Sequence, residues 1–336
     1  MKKILLIFVL LSLVALGCKQ TSLFSGNPAG CDPACINCPD NPQALPIISR
    51  DLIEVSGIEI SSKAPGLIFA HNDSGRPDSL YVLDRRGRLR GVFGLFGDAN
   101  VDWEDIAIGP CARDLREKEC IYIADIGNNR HKRERFQIYK IPMDVLPIEQ
   151  MSKPGNVISR EIGPSELNII DFCYYENGAC LPQKKTPNAE ALLVHPITAE
   201  IFVITKEGGR GGSGIARVFR IDPQPGQDSA QAVLQAQWEI GEAMGSRVTG
   251  ADIDMAGKSI FVLLYNGIYK LPIGALQTSG PIDALGEKFA CIFNDSRFFQ
   301  FEALALRPLP GVDAVTIVSE QQDSMPQYLY SIPPQQ

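Results

Sequence analysis

The chain has 336 residues, of which 45% are hydrophobic and 21% charged, and its formal net charge is −7. That acidic balance argues against nucleic acid as a partner, because non-specific binding to nucleic acid depends on an excess of positive charge. The 24 prolines and 30 glycines occur in many short groups. They indicate frequent turns and favour an all-β protein with many strands.

The first 17 residues form a predicted export signal. Lys2 and Lys3 precede an apolar run over residues 4–16, which is too short to span a bilayer comfortably. The sequence Ala-Leu-Gly-Cys at 15–18 resembles a bacterial lipobox, whose cysteine is lipidated and becomes the mature N-terminus. This resemblance implies that Cys18 is lipidated and anchors the protein at the outer membrane, the periplasmic face or the cell surface. The alternative is an ordinary signal peptide, and either interpretation implies export.

The cysteine count fits an exported protein. Eight cysteines follow Cys18, and an even number in an exported chain predicts disulfides. The two short spacings favour local bridges between Cys111 and Cys120 and between Cys173 and Cys180. Removal of the export signal leaves 30 basic and 39 acidic residues, a net charge of −9.

The remaining cysteines and the adjacent segment predict a tether. Cys31, Cys35, Cys38 and Cys291 would pair among themselves in one of three connectivities. A zinc site on the first three is the alternative, but no histidine is near and an oxidising compartment favours disulfides. Residues 18–45 are rich in Ser, Gly, Asn, Pro and Cys, which predicts a tether, and residues 46–336 form one predicted domain.

A two-strand pattern recurs five times in that domain. The first strands are predicted at 56–60, 104–108, 190–194, 249–253 and 302–306. The second strands are predicted at 67–73, 121–125, 201–206, 260–265 and 315–320. A third strand, apolar and often aromatic, follows in every copy, and an outer fourth strand is predicted at 89–96, 157–174, 232–240 and 288–293.

Repeated four-strand units predict a five-bladed β-propeller. The fifth copy has no fourth strand, so a strand over 46–54 is predicted to fill that place and remove the exposed edge. The long gap between Glu104 and Glu190 leaves six blades as the alternative. We expect a monomer.

The first strands of a propeller line its axis, so their first residues should converge at one mouth. These residues are Ser56, Glu104, Glu190, Thr249 and Glu302. Neighbouring carboxylates raise one another's pKa, so a positive charge is expected among them. An all-oxygen set suits calcium, and these five residues are the predicted ligands of Ca²⁺. The alternative is that each glutamate caps backbone N–H groups without an ion.

The ends of the second strands and the loops beyond them should surround the same mouth. Asp73, Asp125 and Lys206 are the predicted catalytic residues, because two carboxylates could position or deprotonate water while a lysine offsets developing charge. The predicted ligand-binding residues are Asn72, Arg76, Asn128, Arg130, Arg210, Tyr265 and Glu320. Arg and Lys beside a cation favour a small phosphorylated ligand. The alternative is that the Asp, Asn and Gly residues serve turns and the arginines are solvated.

The order hydroxyl, acid, acid, hydroxyl, acid on these strands resembles the blade pattern of the SdiA-regulated five-bladed propellers. It is also similar to the axial ring of the calcium-activated nucleotidases, or apyrases. The resemblance covers about residues 46–332 and implies a propeller with an axial calcium. No extended match to the apyrases exists outside the ring.

Three functions follow as hypotheses. The first is an exported, lipid-anchored, calcium-binding propeller that recognises a small anionic ligand, with calcium-dependent phosphoester hydrolysis as its enzymatic form. The second is a non-catalytic module that binds a protein or glycan and uses calcium structurally. The third, a propeller lactonase or esterase, is disfavoured because those enzymes use more axial Asn and His than this ring offers.

Overall fold

The computed structural model describes residues 43–49, 51–96, 100–155, 157–207, 213–223, 229–242, 246–291, 301–306, 315–319 and 327–332. Within these ranges the chain is mainly β-strand, and most strands are joined into antiparallel ladders of four. We number the ladders as blades 1 to 5 in chain order. The two disulfides that the described residues contain, Cys111–Cys120 and Cys173–Cys180, confirm the predicted local pairs.

The blades are listed from the innermost strand outward. Blade 1 contains β2 (Val55–Glu59), β3 (Leu67–Asn72), β4 (Ser79–Asp84) and β5 (Leu89–Leu95). Blade 2 contains β6 (Trp103–Pro110), β7 (Glu119–Asp125), β8 (Phe136–Pro142) and β10 (Asn168–Glu176). Blade 3 contains β12 (Ala189–Val194), β13 (Ile201–Thr205), β14 (Ile215–Asp222) and β15 (Ala230–Glu239). Blade 4 contains β16 (Val248–Ile253), β17 (Ser259–Leu264), β18 (Gly267–Pro272) and β20 (Glu287–Cys291). Blade 5 contains β21 (Phe301–Ala305), β22 (Val315–Ser319), β23 (Tyr328–Ile332) and β1 (Gln43–Pro46).

The other elements lie at the periphery. They are β9 (Ile158–Ile162), β11 (Ala179–Cys180), β19 (Gly280–Pro281), α1 (Ile148–Met151), α2 (Ile282–Leu285) and the 3-10 turns Met143–Val145, Gln183–Lys185 and Ile273–Gln277. No helix in the described part of the chain has the length and apolarity needed to cross a bilayer.

The innermost strands close into a ring, which defines a β-propeller. Strand β2 packs beside β6, β6 beside β12, β12 beside β16, β16 beside β21, and β21 beside β2. The apolar core is correspondingly divided into five clusters, each between two neighbouring blades of the described chain. Trp103 is fully buried in the cluster between blades 1 and 2. The number of blades in the whole chain stays a prediction.

Two strand predictions were wrong in position. The strand predicted over 46–54 lies earlier, as β1, so part of the predicted tether pairs with β23 in blade 5. Its N-terminal place in the last blade is as predicted. The outer strand predicted over 157–174 is two strands, because Gly163 and Pro164 form a turn between them. Only β10 belongs to blade 2, whereas β9 runs parallel to β5 of blade 1.

Each inner strand carries a β-bulge at its second residue. The pairing shifts across Ser56, Glu104, Glu190, Thr249 and Glu302, each of which has no direct partner in the second strand. A bulge bends the strand and re-aims the extra side chain. The same five residues that the sequence predicts at the axis therefore occupy the same irregular position in all five blades that are described.

Deeper along the inner strands, buried aspartates connect neighbouring blades. Asp105 on β6 accepts hydrogen bonds from its neighbour Ile106 N (2.9 Å) and from Leu192 N (2.8 Å) on β12. Asp252 on β16 accepts from Leu306 N, just beyond β21, at 2.9 Å. The inner edge of each blade leaves backbone N–H groups without a strand partner. These carboxylates supply the missing acceptors, which explains why acids are buried there.

Candidate axial site

A cavity of about 150 Å³ lies at the mouth where the inner strands begin. It is lined by Glu54, Val55, Ser56, Asp73, Glu104, Asn129, Glu190, Lys206, Tyr265 and Glu302. Four of the five predicted ring residues are in this set, as are Asp73, Lys206 and Tyr265 from the ends of the second strands. These seven predicted residues therefore border one cavity, whereas Thr249 and Asp125 are not among the described residues that line it.

One side of the mouth is a cluster of three carboxylates. Asp73, Asp102 and Glu104 each offer an oxygen within 4.8 Å of the others. Glu104 Oε1 is buried and has no hydrogen-bond partner in the described chain. Gly127 leaves the space that this oxygen occupies, since a Cβ there would overlap Glu104 Oε1 and Asp102 Oδ2.

The three carboxyl groups are electrostatically strained. Burial is the largest effect and the charge of Glu190 the next, and together they raise the pKa of both Asp102 and Glu104. Burial also dominates at Asp73, where it and the charges of Glu190 and Asp102 outweigh the hydrogen bond from Ser74 N and raise the pKa to about 6. Because like charges repel, the ionised form of all three carboxyl groups is unfavourable unless a positive charge lies close to them.

Backbone contacts hold the cluster in place. The Asp102 N–H donates to Asp125 Oδ1 at 3.0 Å, and the Asp102 carbonyl accepts from Gly127 N at 3.0 Å. Asn100 donates to the Asp73 carbonyl at 3.0 Å and accepts from Trp103 N at 3.1 Å. The loop before β6 is thus joined to the ends of both β3 and β7.

The opposite side of the mouth is neutralised by lysine. Lys206 Nζ lies 3.0 Å from Glu190 Oε1, which also accepts a hydrogen bond from Asn188 Nδ2 at 2.7 Å. The Tyr265 hydroxyl donates to Glu302 Oε1 at 3.2 Å. Burial alone would lower the pKa of Lys206, but the charges of Glu190 and Glu302 raise it well above its usual range. Lys206 is therefore a permanent cation at this side of the mouth.

The two predicted hydroxyl ligands have other contacts. Ser56 Oγ donates to the Glu104 carbonyl at 2.8 Å, and Thr249 Oγ1 donates to the Phe301 carbonyl at 2.7 Å. Each hydroxyl thereby connects its inner strand to that of the next blade. Thr249 does not line the cavity in the described chain. At the bulge position, the two hydroxyl residues therefore link neighbouring blades, whereas the three glutamates line the cavity.

Asp125 is not among the described residues that line the cavity, and its predicted role on water stays a prediction. Its Oδ1 contacts Arg133 Nη1 at 2.6 Å and accepts from Asp102 N, while its Oδ2 is buried without a partner in the described chain. Arg133 also donates to the Gly127 carbonyl at 2.9 Å. Asp125 therefore positions the loop that carries Asp102.

The predicted ligand-binding residues differ in their surroundings, and among the described ones Tyr265 lines the cavity. Asn72 and Asn128 are buried and use both ends of their amides on nearby protein groups. Arg76 forms a two-bonded ion pair with Glu54, both bonds 2.7 Å long. Arg130 is exposed at the rim. Arg210 and Glu320 lie outside the described residues, as do Cys18, Cys31, Cys35, Cys38 and the side chain of Cys291.

Four contributors to the site were missed from the sequence. Asp102 completes the carboxylate cluster, Glu54 lines the cavity, Asn188 contacts Glu190, and Arg133 contacts Asp125. Asp102 had a visible signal, because it comes two residues before the ring residue Glu104 at the point where the chain enters the inner strand. Asn188 likewise comes two residues before the ring residue Glu190.

The fold and the mouth together define a β-propeller with an acidic axial site. No protein-family model and no curated protein matches the chain. Among solved structures it is similar to a luciferin-regenerating enzyme, at 10% identity over 87% of this chain and 95% of that chain, with a TM-score of 0.40. It is also similar to Chaetomium thermophilum Sqt1 bound to the N-terminus of the ribosomal protein L10, at 10% identity over 83% of this chain and 58% of that chain, with a TM-score of 0.36. At these scores the propeller assignment rests on strand order, and the resemblance to SdiA-regulated propellers and apyrases stays a prediction.

Proposed function

We propose that the protein is an exported, lipid-anchored propeller that binds Ca²⁺ at its axial mouth and uses the ion to recognise an anionic ligand. The observation that carries the proposal is the buried, unpartnered Glu104 Oε1 within a cluster completed by Asp73 and Asp102. Two oxygens bound to one Ca²⁺ at about 2.3–2.6 Å lie no more than about 5 Å apart. The observed 4.8 Å limit is compatible with that geometry.

The donor set favours calcium over softer metals. All three side chains offer only oxygen, which suits Ca²⁺ or Mg²⁺, whereas zinc and redox metals prefer nitrogen or sulfur. Lys206 offsets only part of the negative charge, because its ammonium pairs with Glu190 and the pKa of both Glu104 and Asp73 stays raised despite its charge. This proposal places the ion on Asp73, Asp102 and Glu104, with Glu190 and Glu302 paired to protein groups.

The volume of the cavity limits the size of the group that a ligand could place inside it. Sites for drug-sized molecules usually enclose about 300–1,000 Å³, whereas this cavity measures about 150 Å³. It has room for an ion and one small group, such as a phosphoryl or carboxylate group. The rest of the ligand would lie outside the cavity, where Asn129 and Arg130 are exposed.

Hydrolysis of a phosphoester is a second candidate, and Lys206 favours it. Bound Ca²⁺ would polarise a phosphoryl oxygen. Lys206 borders the same cavity from the opposite side and would offset negative charge on that group. A panel of phosphoesters and nucleotides, assayed with wild type and Lys206→Met, separates a hydrolase from a binding module. Turnover that persists unchanged in Lys206→Met would exclude this role for the lysine.

The cation is tested by thermal melting and calorimetry with calcium or chelator. At calcium hundredfold above its dissociation constant, we expect stabilisation by about 2.7 kcal/mol. Asp102→Asn and Glu104→Gln should lose it. The matched control is Glu166→Gln, which removes one carboxylate from a surface ion pair with Arg160. Identical melting of wild type in calcium and chelator would contradict the proposal.

The N-terminus needs a separate test, because export and lipidation are proposed from the first residues alone. The two disulfides are consistent with an oxidising compartment. Expression in a bacterial host should give a membrane-associated product whose mass includes the acyl chains. Cys18→Ala should release the protein from the membrane. A soluble wild-type product cleaved elsewhere would indicate an ordinary signal peptide.

A further inference from the structure

Three asparagines lie together along one rim of the axial mouth. Asn128 and Asn129 are in the loop after β7, and Asn188 directly precedes β12. Asn128 and Asn188 are buried, whereas Asn129 is exposed at the rim and lines the axial cavity. A side-chain amide has a donor end and an acceptor end. The neighbours of each amide therefore decide which end is left for the cavity.

The orientation of the Asn188 amide is fixed at both of its ends. The Asn128 backbone N–H can only donate, and its partner is Asn188 Oδ1. At the other end, Asn188 Nδ2 donates to Glu190 Oε1 at 2.7 Å, and the carboxylate that pairs with Lys206 can only accept. The Asn188 carbonyl also accepts from Lys206 N at 3.0 Å. The Asn188 amide therefore has one possible orientation.

Asn188 in turn orients Asn129. A side-chain amide nitrogen carries two hydrogens, and the second partner of Asn188 Nδ2 is Asn129 Oδ1 at 3.2 Å. Asn129 must therefore turn its oxygen towards Asn188. Its Nδ2 has no hydrogen-bond partner among the residues that the structure describes. Because Asn129 borders the cavity, this Nδ2 is a donor that remains available to a bound molecule.

We propose that Asn129 is a ligand-binding residue whose Nδ2 donates to a terminal oxygen of a phosphoryl group in the axial cavity, and that Asn188 is its positioning residue. This inference rests on the proposed function and names the class of its ligand. The cavity offers an anion three partners: the proposed cation, the Lys206 ammonium and the Asn129 amide. A phosphoryl group has three terminal oxygens and a carboxylate has two, so the phosphoryl group matches this set better.

Calorimetric titration with methylphosphonate tests the role of Asn129. Methylphosphonate has three terminal oxygens and no ester bond to hydrolyse, and acetate is the comparison with two oxygens. We expect Asn129→Ala to bind methylphosphonate roughly tenfold more weakly than wild type, because a hydrogen bond to a charged group is lost. Asn129→Asp should bind it more weakly still, because a negative charge replaces the donor. The matched control is Asn168→Ala, which makes the same change at an exposed residue of β10 that does not line the cavity.

A double-mutant cycle tests the role of Asn188. If Asn188 acts by orienting Asn129, Asn188→Ala should weaken methylphosphonate binding in wild type and have no further effect in Asn129→Ala. A purely structural role would lower the affinity by the same factor in both backgrounds, and that result would overturn the assignment of Asn188.

Two further results would overturn the inference: equal methylphosphonate affinity of wild type and Asn129→Asp, or wild type that binds calcium but not methylphosphonate. Acetate binding that falls by the same factor in Asn129→Ala would overturn the assignment to a phosphoryl group. All titrations are made both in calcium and in chelator. Weaker binding by Asn129→Ala in chelator supports the inference even if wild type melts identically with and without calcium, a result that would contradict the proposed cation alone.

Discussion

Glu104 and Asp105 are adjacent on β6 and both are buried carboxylates, but they differ in what surrounds them. Burial raises the pKa of each above its usual range. Both oxygens of Asp105 accept backbone N–H groups, one of them from the neighbouring blade. Glu104 Oε1 has no partner in the described chain. Asp105, inside the inner ring, thus has both carboxylate oxygens hydrogen-bonded, whereas Glu104, at the mouth, has one buried oxygen without a partner among the described residues.

The carboxylates of the mouth also differ from one another in whether they have a partner. Glu190 and Glu302 contact Lys206 and Tyr265, which supply a positive charge and a hydroxyl donor. The charge of Lys206 partly offsets the rise in the pKa of Asp73 and Glu104, but among the described residues Lys206 forms its ion pair with Glu190. Acidic residues therefore have three kinds of surroundings within one ring of strands: they accept backbone N–H groups, pair with lysine or, as at Glu104 Oε1, lack a partner among the described residues. These acidic residues differ in the groups that surround them, and the residue type alone does not predict which surroundings each one has.

The largest expected effect comes from the interior. Asp105→Ala leaves Leu192 N and Ile106 N without their acceptor, and a buried unsatisfied group costs about 1–3 kcal/mol. We expect urea denaturation to show a loss of about 2–3 kcal/mol of stability, with calcium affinity retained in the folded fraction.

Two variants sharpen this comparison. Asp252→Ala removes the equivalent acceptor of Leu306 N in blade 4 and should behave like Asp105→Ala. Glu104→Gln removes a buried charge whose Oε1 has no hydrogen-bond partner among the described residues, so in chelator it should not destabilise the protein. If Asp105→Ala left stability unchanged, or Glu104→Gln lowered it equally, the distinction between interior and mouth would fail.

A smaller effect is expected at Gly127, which faces the carboxylate cluster. Gly127→Ala would place a methyl group where Glu104 Oε1 and Asp102 Oδ2 lie. We expect the displaced carboxylates to lower calcium affinity roughly tenfold, or about 1.4 kcal/mol, as measured by calorimetry. Gly66→Ala is the control, because a Cβ there meets nothing within 4 Å. Equal affinities of Gly127→Ala and wild type would show that the ion does not need these two oxygens.

Much of the architecture could be predicted because strand periodicity repeats. The five first strands, the N-terminal strand in the last blade and both local disulfides follow from spacing alone. The convergence of Glu104, Glu190 and Glu302 on one mouth follows from that topology. The split between β9 and β10 was missed because a single turn within a long apolar stretch changes which blade its first half joins.

The division of roles within the mouth could not be predicted. It depends on the bulges, which are properties of strand pairing and have no fixed residue signature. It also depends on which carboxylate the flexible Lys206 side chain contacts. Asp102 became important only once Gly127 and Asp125 were seen to hold it beside Glu104. Distances of this kind arise from packing between blades that are far apart in sequence.

A further effect is expected on the pH dependence of the protein without divalent cations. The folded state raises the pKa of Asp73 to about 6 from an ordinary 3.8. Above pH 6 the ionised carboxylate therefore destabilises the folded state, and protonation relieves this as the pH falls from about 7 towards 4. Wild type in chelator should gain stability over that window relative to Asp73→Asn, measured by urea denaturation at each pH.

Calcium should reverse this difference, which makes the pH profile a test of the proposed ion as well as of Asp73. A bound cation stabilises the ionised carboxylate, so acidification must then displace the ion and lower stability. In saturating calcium, wild type should therefore lose its advantage over chelator conditions as the pH falls through about 6. If wild type and Asp73→Asn gave parallel profiles in both buffers, Asp73 would be neither strained in the free protein nor a ligand in the bound one.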